Sequence, residues 1–171
     1  AGPAAHAIDS DRDVTRFREV AAEVGRMVPD RSARILDVGC ANGQMLAALS
    51  RLGYNSLCGV DPSPACVHQA ATIPGVSAFV GSLSQMPGDV DPYDVVILSH
   101  VLEHVRDVKP ALAHLEQFVS RRALIYVEVP DALRYADFAW STFQDFNSEH
   151  INHFSLVSLG NLLRQCGLRP L

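Results

Sequence analysis

The sequence predicts an α/β fold, a doubly wound, mainly parallel sheet with helices on both faces. Three observations carry this expectation. Short β-rich runs alternate with helical patterns along the whole length. The clearest run, Tyr93 to Ser99 (Tyr-Asp-Val-Val-Ile-Leu-Ser), has the continuous apolar stretch of a strand buried on both faces, as in a parallel sheet. Glycines and polar residues gather where the runs end, at Gly39–Gly43, Asp61, Ser82 and Ser99-His100. In a sheet wound this way, ligands bind at the carboxyl ends of the strands.

Residues 1–8 read as a loose tail, 9–28 as an N-terminal helix and 33–171 as the core of one domain. The first helix places Val14, Phe17, Val20, Val24 and Met27 at helical spacing, with Ser10 or Asp11 as N-cap and Pro29 as its stop. Ile35-Leu36-Asp37-Val38 is a buried strand. The chain then turns through Gly39, Cys40, Ala41, Asn42 and Gly43 into a helix carrying Met45, Leu46, Leu49 and Leu52, closed by Gly53. Ser56 to Val60 is the second strand and ends in Asp61. Ser63 then caps a helix with Pro64 at its first position. Val76 to Val80 is the third strand, followed by Gly81-Ser82-Leu83 and a loop rich in Gly, Pro and Asp.

After the fourth strand, Tyr93 to Ser99, a helix is expected from Asp107 to Val119, and a fifth strand from Ala123 to Val129, ended by Pro130. Asp131 to Asn152 is a connection holding Tyr135, Phe138, Trp140, Phe143 and Phe146, either a substrate pocket or a hydrophobic lid. Ser155 caps a last helix through Leu156, Leu159, Leu162, Leu163 and Cys166, with Gly167 as its exit.

The totals narrow the function. A chain of 171 residues can bury a substantial core, and 48% hydrophobic with 19% charged residues is an ordinary globular composition. A net charge of −5 argues against a nucleic-acid backbone as the main partner, since that contact needs clustered Lys and Arg. Arg121-Arg122 is a single adjacent basic pair. Cys40, Cys58, Cys66 and Cys166 show no Cys-x-x-Cys spacing, so neither a zinc knuckle nor a disulfide framework is suggested. A reduced, cytoplasmic setting is expected, with no membrane-spanning run and no signal-peptide pattern.

Three readings compete for the glycine loop. A phosphate-binding P-loop needs Gly-Lys-Ser/Thr at its end, and Gly43 is followed by Gln44 and Met45. A dinucleotide fingerprint needs Gly-x-Gly-x-x-Gly, whereas the loop is Gly39-x-Ala41-x-Gly43. The third reading is a plain tight turn. Asp61 lies roughly 20 residues beyond the loop, where a carboxylate can accept hydrogen bonds from both hydroxyls of a ribose. Its alternative role is an Asx turn before Pro62. Asp37, a charge within an apolar run, would orient the loop or reach a ligand's ammonium through water.

Leu36-Asp37-Val38-Gly39-Cys40-Ala41-Asn42-Gly43, Gly59-Val60-Asp61 and Tyr93-Asp94-Val95-Val96 through Leu102-Glu103-His104-Val105 closely resemble the class I S-adenosylmethionine-dependent methyltransferases (EC 2.1.1.-). The resemblance runs in the family's order and spacing from Ile35 to about Gly167. It implies a Rossmann-like fold with S-adenosyl-L-methionine as cofactor and S-adenosyl-L-homocysteine as product. Asp37 and Gly39 to Gly43 would meet the methionine portion, and Asp61, with Pro62 after it, the ribose. Ser82 and Leu83 would flank the adenine, and Ser99 and His100 would sit beside the cofactor. Ser82 stands where many members carry Asp. Relatives usually add two antiparallel strands after the last helix, and Leu168 to Leu171 are too few for them. This suggests a trimmed domain of a longer chain, or a sheet edge completed by a partner such as a second copy.

Methyl transfer needs an acceptor aligned with the sulfonium and, for a weak acceptor, a base. His100, Glu103, His104, Glu128, Glu149, His150 and His153 are the titratable residues expected at that sheet edge. The segment Phe143 to Ser155, with Glu149-His150 at its centre, resembles sugar-modifying methyltransferases, especially those methylating a carbon next to a ketone. Their Tyr-x-Glu-His arrangement implies His150 as base, assisted by Glu149, although Asn147 replaces the Tyr. Glu103-His104 is expected to brace the helix after the fourth strand and His153 to anchor the loop. A metal site from His150, His153 and a carboxylate is weighed and set aside, because metal-dependent members usually cluster acids where this chain has Ser99-His100. The Asn-Pro-Pro-Tyr signature of base and amide N-methylation is absent. A methyltransferase acting on a polar, sugar-derived small molecule is the leading expectation. A cofactor-binding but inactive scaffold or regulatory domain of a larger protein is the alternative.

Overall fold

Asp37, placed inside an apolar strand, is explained by where that strand lies in the sheet. A computed structural model describes residues 11–86, 91–137 and 145–171. Its strands are β1 (Arg34–Val38), β2 (Ser56–Asp61), β3 (Val76–Val80), β4 (Tyr93–Ser99) and β5 (Val119–Glu128), all parallel, in the order β3-β2-β1-β4-β5. The chain winds outward from β1 to β3, then returns to place β4 on the other side of β1. The carboxyl ends of β1 and β4 therefore flank the point where the winding reverses, the place at which sheets wound this way bind their ligands. Asp37 is the last but one residue of β1, beside Gly59 on β2 and Ile97 on β4.

Alternation along the strands sorts the core into two layers. Ile35, Leu57, Val95 and Ile97 pack with Val20, Ala21 and Val24 of α1 (Asp11–Met27) and with Met45, Leu46 and Leu49 of α2 (Gln44–Arg51). Ala70, the last residue of α3 (Pro64–Ala70), joins the same layer. Leu36, Val38, Val96 and Leu98 point the other way, onto Val108, Leu112 and Leu115 of α4 (Val108–Leu115). Leu159, Leu162 and Leu163 of α5 (Leu156–Gln165) complete that side. By this alternation Asp37 belongs to the α1 side.

Local chemistry fixes most boundaries. Ser63 caps α3 with Pro64 at its start, and Ser155 caps α5 in a capping box with Ser158. The first helix begins at Asp11; Ser10 and the tail lie outside the described residues. The fourth helix is shorter than expected. It ends at Leu115, and a 3-10 turn at Glu116–Phe118 buries Phe118 and leads into β5 at Val119 rather than Ala123. Among the described residues β5 has a strand neighbour on one side only, and its register against β4 shifts between Tyr93 and Val95. Arg121 and Arg122 are exposed on it, so the sequence carries no strand signal there. Against β5 lies a groove of about 940 Å³ lined by Val24, Met27, Leu124, Tyr126, Leu163 and Leu168. Residues 168–171 follow α5 without further regular structure.

Gly59 shows how tightly the first loop is seated on the sheet. A Cβ at this position would lie 2.6 Å from Cys40 Sγ, 3.0 Å from Leu46 Cδ1 and 3.1 Å from Cys40 Cβ. Gly59→Ala should therefore cost about 1–3 kcal/mol through overpacking. Adding Cys40→Ala should recover part of that loss. Denaturant unfolding of the two single variants and the double variant checks the coupling; strictly additive losses would contradict it.

Candidate active site

The loop from Gly39 to Gly43 cannot be built from ordinary residues alone. Gly39 (φ 73°) and Gly43 (φ 85°) adopt left-handed conformations, and at Gly43 a Cβ would also strike Ile73 Cδ1 at 2.7 Å. Ala41 (φ 44°) is left-handed without being glycine, as is His100 (φ 54°) at the end of β4. Such conformations persist only where surrounding contacts hold them, and they concentrate at functional sites. Here the holding contact is visible. Ala41 N–H donates to Asp61 Oδ2 at 2.9 Å, while Gly39 and Cys40 N–H both donate to Val60 O. The other Asp61 oxygen accepts from Ser63 N–H at 2.8 Å. The Asx turn and the loop contact coexist, because a carboxylate has about four lone-pair directions. Gly39 and Ala41 are exposed on the rim, whereas Cys40 is turned into the core.

Asp37 is 4% exposed, and burial raises its carboxyl to about 8. The neighbouring Asp61 charge contributes to this rise, and the Arg16 guanidinium opposes it. Sequence reasoning missed Arg16. Its Nη1 donates to Glu128 Oε2 at 2.7 Å and to Ser99 Oγ at 2.9 Å, and Ser99 Oγ donates to the same carboxylate oxygen at 2.8 Å. The ends of β1, β4 and β5 and the first helix thus share one polar cluster. The sequence held a signal: Arg16 lies four and eight residues before Val20 and Val24, on the buried stripe of α1.

Beyond Ser99 the cluster continues outward. His100 Nδ1 lies 3.2 Å from Glu103 Oε1, and Glu103 is 1% exposed. Glu103 sits in a 3-10 turn, Leu102–His104, to which the distant 147–154 segment is stitched. Ile151 and Asn152 N–H donate to Glu103 O, and Asn152 Nδ2 donates to Leu102 O and Val105 O. This brings His150 against His104, ring centroids 4.9 Å apart and edge to face. Glu103, His104 and His150 thereby come together with their ligating atoms within 4.8 Å of one another.

The details depart from the sequence reading in three ways. Glu149 is exposed, and its carbonyl bonds His104 Nδ1 at 3.0 Å. His150 is oriented instead by the Asp145 carbonyl, 2.7 Å from its Nδ1. Asn147, in the position expected to hold a Tyr, caps the turn by accepting from Glu149 and His150 N–H. His153 pairs with Tyr135 Oη at 3.0 Å and stacks on Phe146, so it anchors this segment. Phe138, Trp140 and Phe143 lie outside the described residues. Ser82 and Gln85 close a tight turn with paired backbone hydrogen bonds, while the Leu83 side chain is buried in the core and leaves only its backbone for a ligand.

A parallel sheet with its crevice at the reversal point, a glycine loop and an acidic residue after the second strand define a class I S-adenosylmethionine-dependent methyltransferase. The family model described as "Methyltransferase domain" matches residues 12–171, and the chain belongs to that family. The ubiquinone biosynthesis O-methyltransferase of Azorhizobium caulinodans is 29% identical over 121 residues, covering 68% of this chain and 47% of that protein. The chain thus spans about half the length of the curated relatives it matches. Among solved structures, a SAM-dependent methyltransferase from Thermotoga maritima superimposes with a TM-score of 0.68 at 20% identity, covering 92% of this chain and 73% of that one. The plantazolicin methyltransferase BpumL in complex with S-adenosylhomocysteine gives 0.71 at 20% identity, covering 89% and 63%. The cofactor of the family is S-adenosylmethionine.

The Asp37 environment has a pH signature. With its carboxyl raised to about 8, the folded chain holds a proton that the unfolded chain has lost above about pH 4. The stability this contributes is complete below the unfolded value and disappears as pH rises through about 8. A cofactor bringing an ammonium and a sulfonium nearby favours the ionised form. Cofactor binding near pH 7 should therefore release protons, measured by calorimetry in two buffers of different ionisation enthalpy. In Asp37→Asn the release should vanish and the Tm should fall less across that range; an unchanged proton release would contradict the assignment.

Proposed function

We propose that this chain transfers the methyl group of S-adenosylmethionine to an oxygen of a polar, hydroxyl-bearing small molecule, with sugar-derived acceptors the first to test. In this reading Gly39 to Gly43 hold the methionine portion and Arg16 pairs with its carboxylate. Asp61 accepts from the ribose hydroxyls, Ser82 and the Leu83 backbone border the adenine, and Ser99 and His100 lie beside the sulfur. Pro62 and Asn42 shape the rim.

One observation carries the reaction type. The Nδ1 atoms of both His104 and His150 face backbone carbonyls, which can only accept. Each ring must therefore carry a hydrogen on Nδ1, and in its neutral form this leaves the lone pair on Nε2. A neutral imidazole held in this tautomer is a ready proton acceptor near neutral pH. The acceptor hydroxyl gives its proton to His150 Nε2, its oxygen attacks the methyl carbon in line, and the carbon–sulfur bond breaks to leave the neutral thioether. The similarity to O-methyltransferases of ubiquinone biosynthesis supports oxygen as the atom methylated. The loss of the Tyr at Asn147 weighs against methylation at a carbon next to a ketone.

His150→Ala should retain cofactor affinity within about twofold while turnover falls roughly 10²–10⁴-fold. Asp61→Ala should do the reverse first, weakening cofactor binding roughly 10–100-fold as charge-assisted hydrogen bonds are lost. Methyl transfer from labelled cofactor onto hydroxylated metabolites, with calorimetry of binding, separates the two effects. Tight cofactor binding with no transfer to any acceptor would identify a binding domain instead.

A further inference from the structure

We propose that two copies of this chain pair through β5, edge to edge and antiparallel, about a twofold axis at Ile125. The groove of about 940 Å³ runs along the edge of β5 that has no strand neighbour among the described residues. Val24 of α1 walls it on one face of the sheet and Leu163 of α5 on the other. A strand that enters the groove is therefore covered on both faces.

The open edge is incompletely buried for its composition. Val95, Val96, Ile97 and Leu98 of β4 are fully buried, whereas their β5 partners Leu124, Ile125, Tyr126 and Val127 are half-buried. A free strand edge is ordinarily protected from pairing by charges, a proline or a bulge. In β5 those devices, Arg121, Arg122 and the register shift, all lie before Leu124. Leu124 to Val127 carry none of them.

A second copy is the occupant because β5 complements itself in one register. A twofold axis normal to the sheet pairs residues that share a face, so the axis passes through a residue of the strand. With Ile125 on the axis, Leu124 lies opposite Tyr126 and Ala123 opposite Val127. These are apolar pairs, and one step further out Arg122 of one copy meets Glu128 of the other. An axis at Leu124 opposes Glu128 with Ser120 instead, and an axis at Tyr126 opposes it with Leu124. Of these three registers, the one centred on Ile125 joins opposite charges.

The pairing makes one continuous sheet across both copies and covers Met27, which lines the groove and is 37% exposed. It also borders the crevice. Arg122 of one copy reaches the carboxylate that accepts hydrogen bonds from Arg16 and Ser99 in the other.

Sedimentation equilibrium over roughly 1–200 µM chain, under reducing conditions, tests the pairing. The mass should rise from one chain to two. Arg122→Glu sets like charges opposite each other and should weaken the dimer roughly tenfold or more. Arg122 is exposed, so this variant keeps the test decisive if a substitution at Ile125 fails to fold. Register is tested by cross-linking, because directly opposite residues have Cα atoms about 4.5–5.5 Å apart, within disulfide reach. In a Cys66→Ser, Cys166→Ser background treated with oxidised glutathione, Ile125→Cys should form a covalent dimer. Ala123→Cys should not, since its two copies lie about 14 Å apart along the strands. A chain that stays monomeric at the highest concentration overturns the proposal. So does a dimer that Arg122→Glu leaves unchanged, or one that Ala123→Cys locks and Ile125→Cys does not.

Discussion

The hydrogen bond from Ala41 N–H to Asp61 is the contact on which the rest of the crevice depends. It spans the carboxyl ends of two neighbouring strands and holds a non-glycine residue in a left-handed conformation. Without it, the loop keeps the Val60 carbonyl and the packing of Cys40 on Gly59 as its contacts with β2. The same carboxylate also organises the entry to α3 through Ser63. Since Asp61 is tied on both sides by backbone donors, its remaining lone pairs keep a fixed direction. Preorganisation of this kind lowers the ordering cost of binding a hydrogen-bond donor there.

The glycines follow from the same constraint. Gly59 is required where Cys40 and Leu46 press on β2, and Gly43 where the start of α2 passes Ala70 and Ile73. These glycines let the loop descend close to the sheet, so that Asp37 comes under the influence of Asp61 and Arg16. The buried acid pair and the guanidinium therefore arise from sheet order. β1 lies between β2 and β4, and α1 crosses the layer toward which Asp37 is turned.

Much of this was legible in the sequence because it depends on local patterns. The apolar run of β4, the Pro64 and Ser63 start of α3, the Ser155 cap and the glycine loop all sit where periodicity and turn chemistry put them. What was not legible depends on tertiary partners. β5 begins early because an edge strand can expose Arg121 and Arg122 and so loses its apolar signature. Arg16 reads as one more surface arginine until Ser99 and Glu128 are seen to receive it. The Glu149-His150 pair was expected to act through the glutamate side chain. Instead Glu149 contributes its carbonyl to His104, and backbone carbonyls set the tautomers of both histidines. Short-range motifs thus located the crevice, whereas the roles within it were set by contacts between residues some 45 positions apart, such as His104 and Glu149.

The most direct test of the account is the structure of this chain with S-adenosylhomocysteine bound. The ribose hydroxyls should lie on Asp61, the amino acid portion under Gly39–Gly43 near Arg16, and the sulfur should open toward Glu103, His104 and His150. A nucleoside seated elsewhere, or a sulfur facing away from the two histidines, would contradict it.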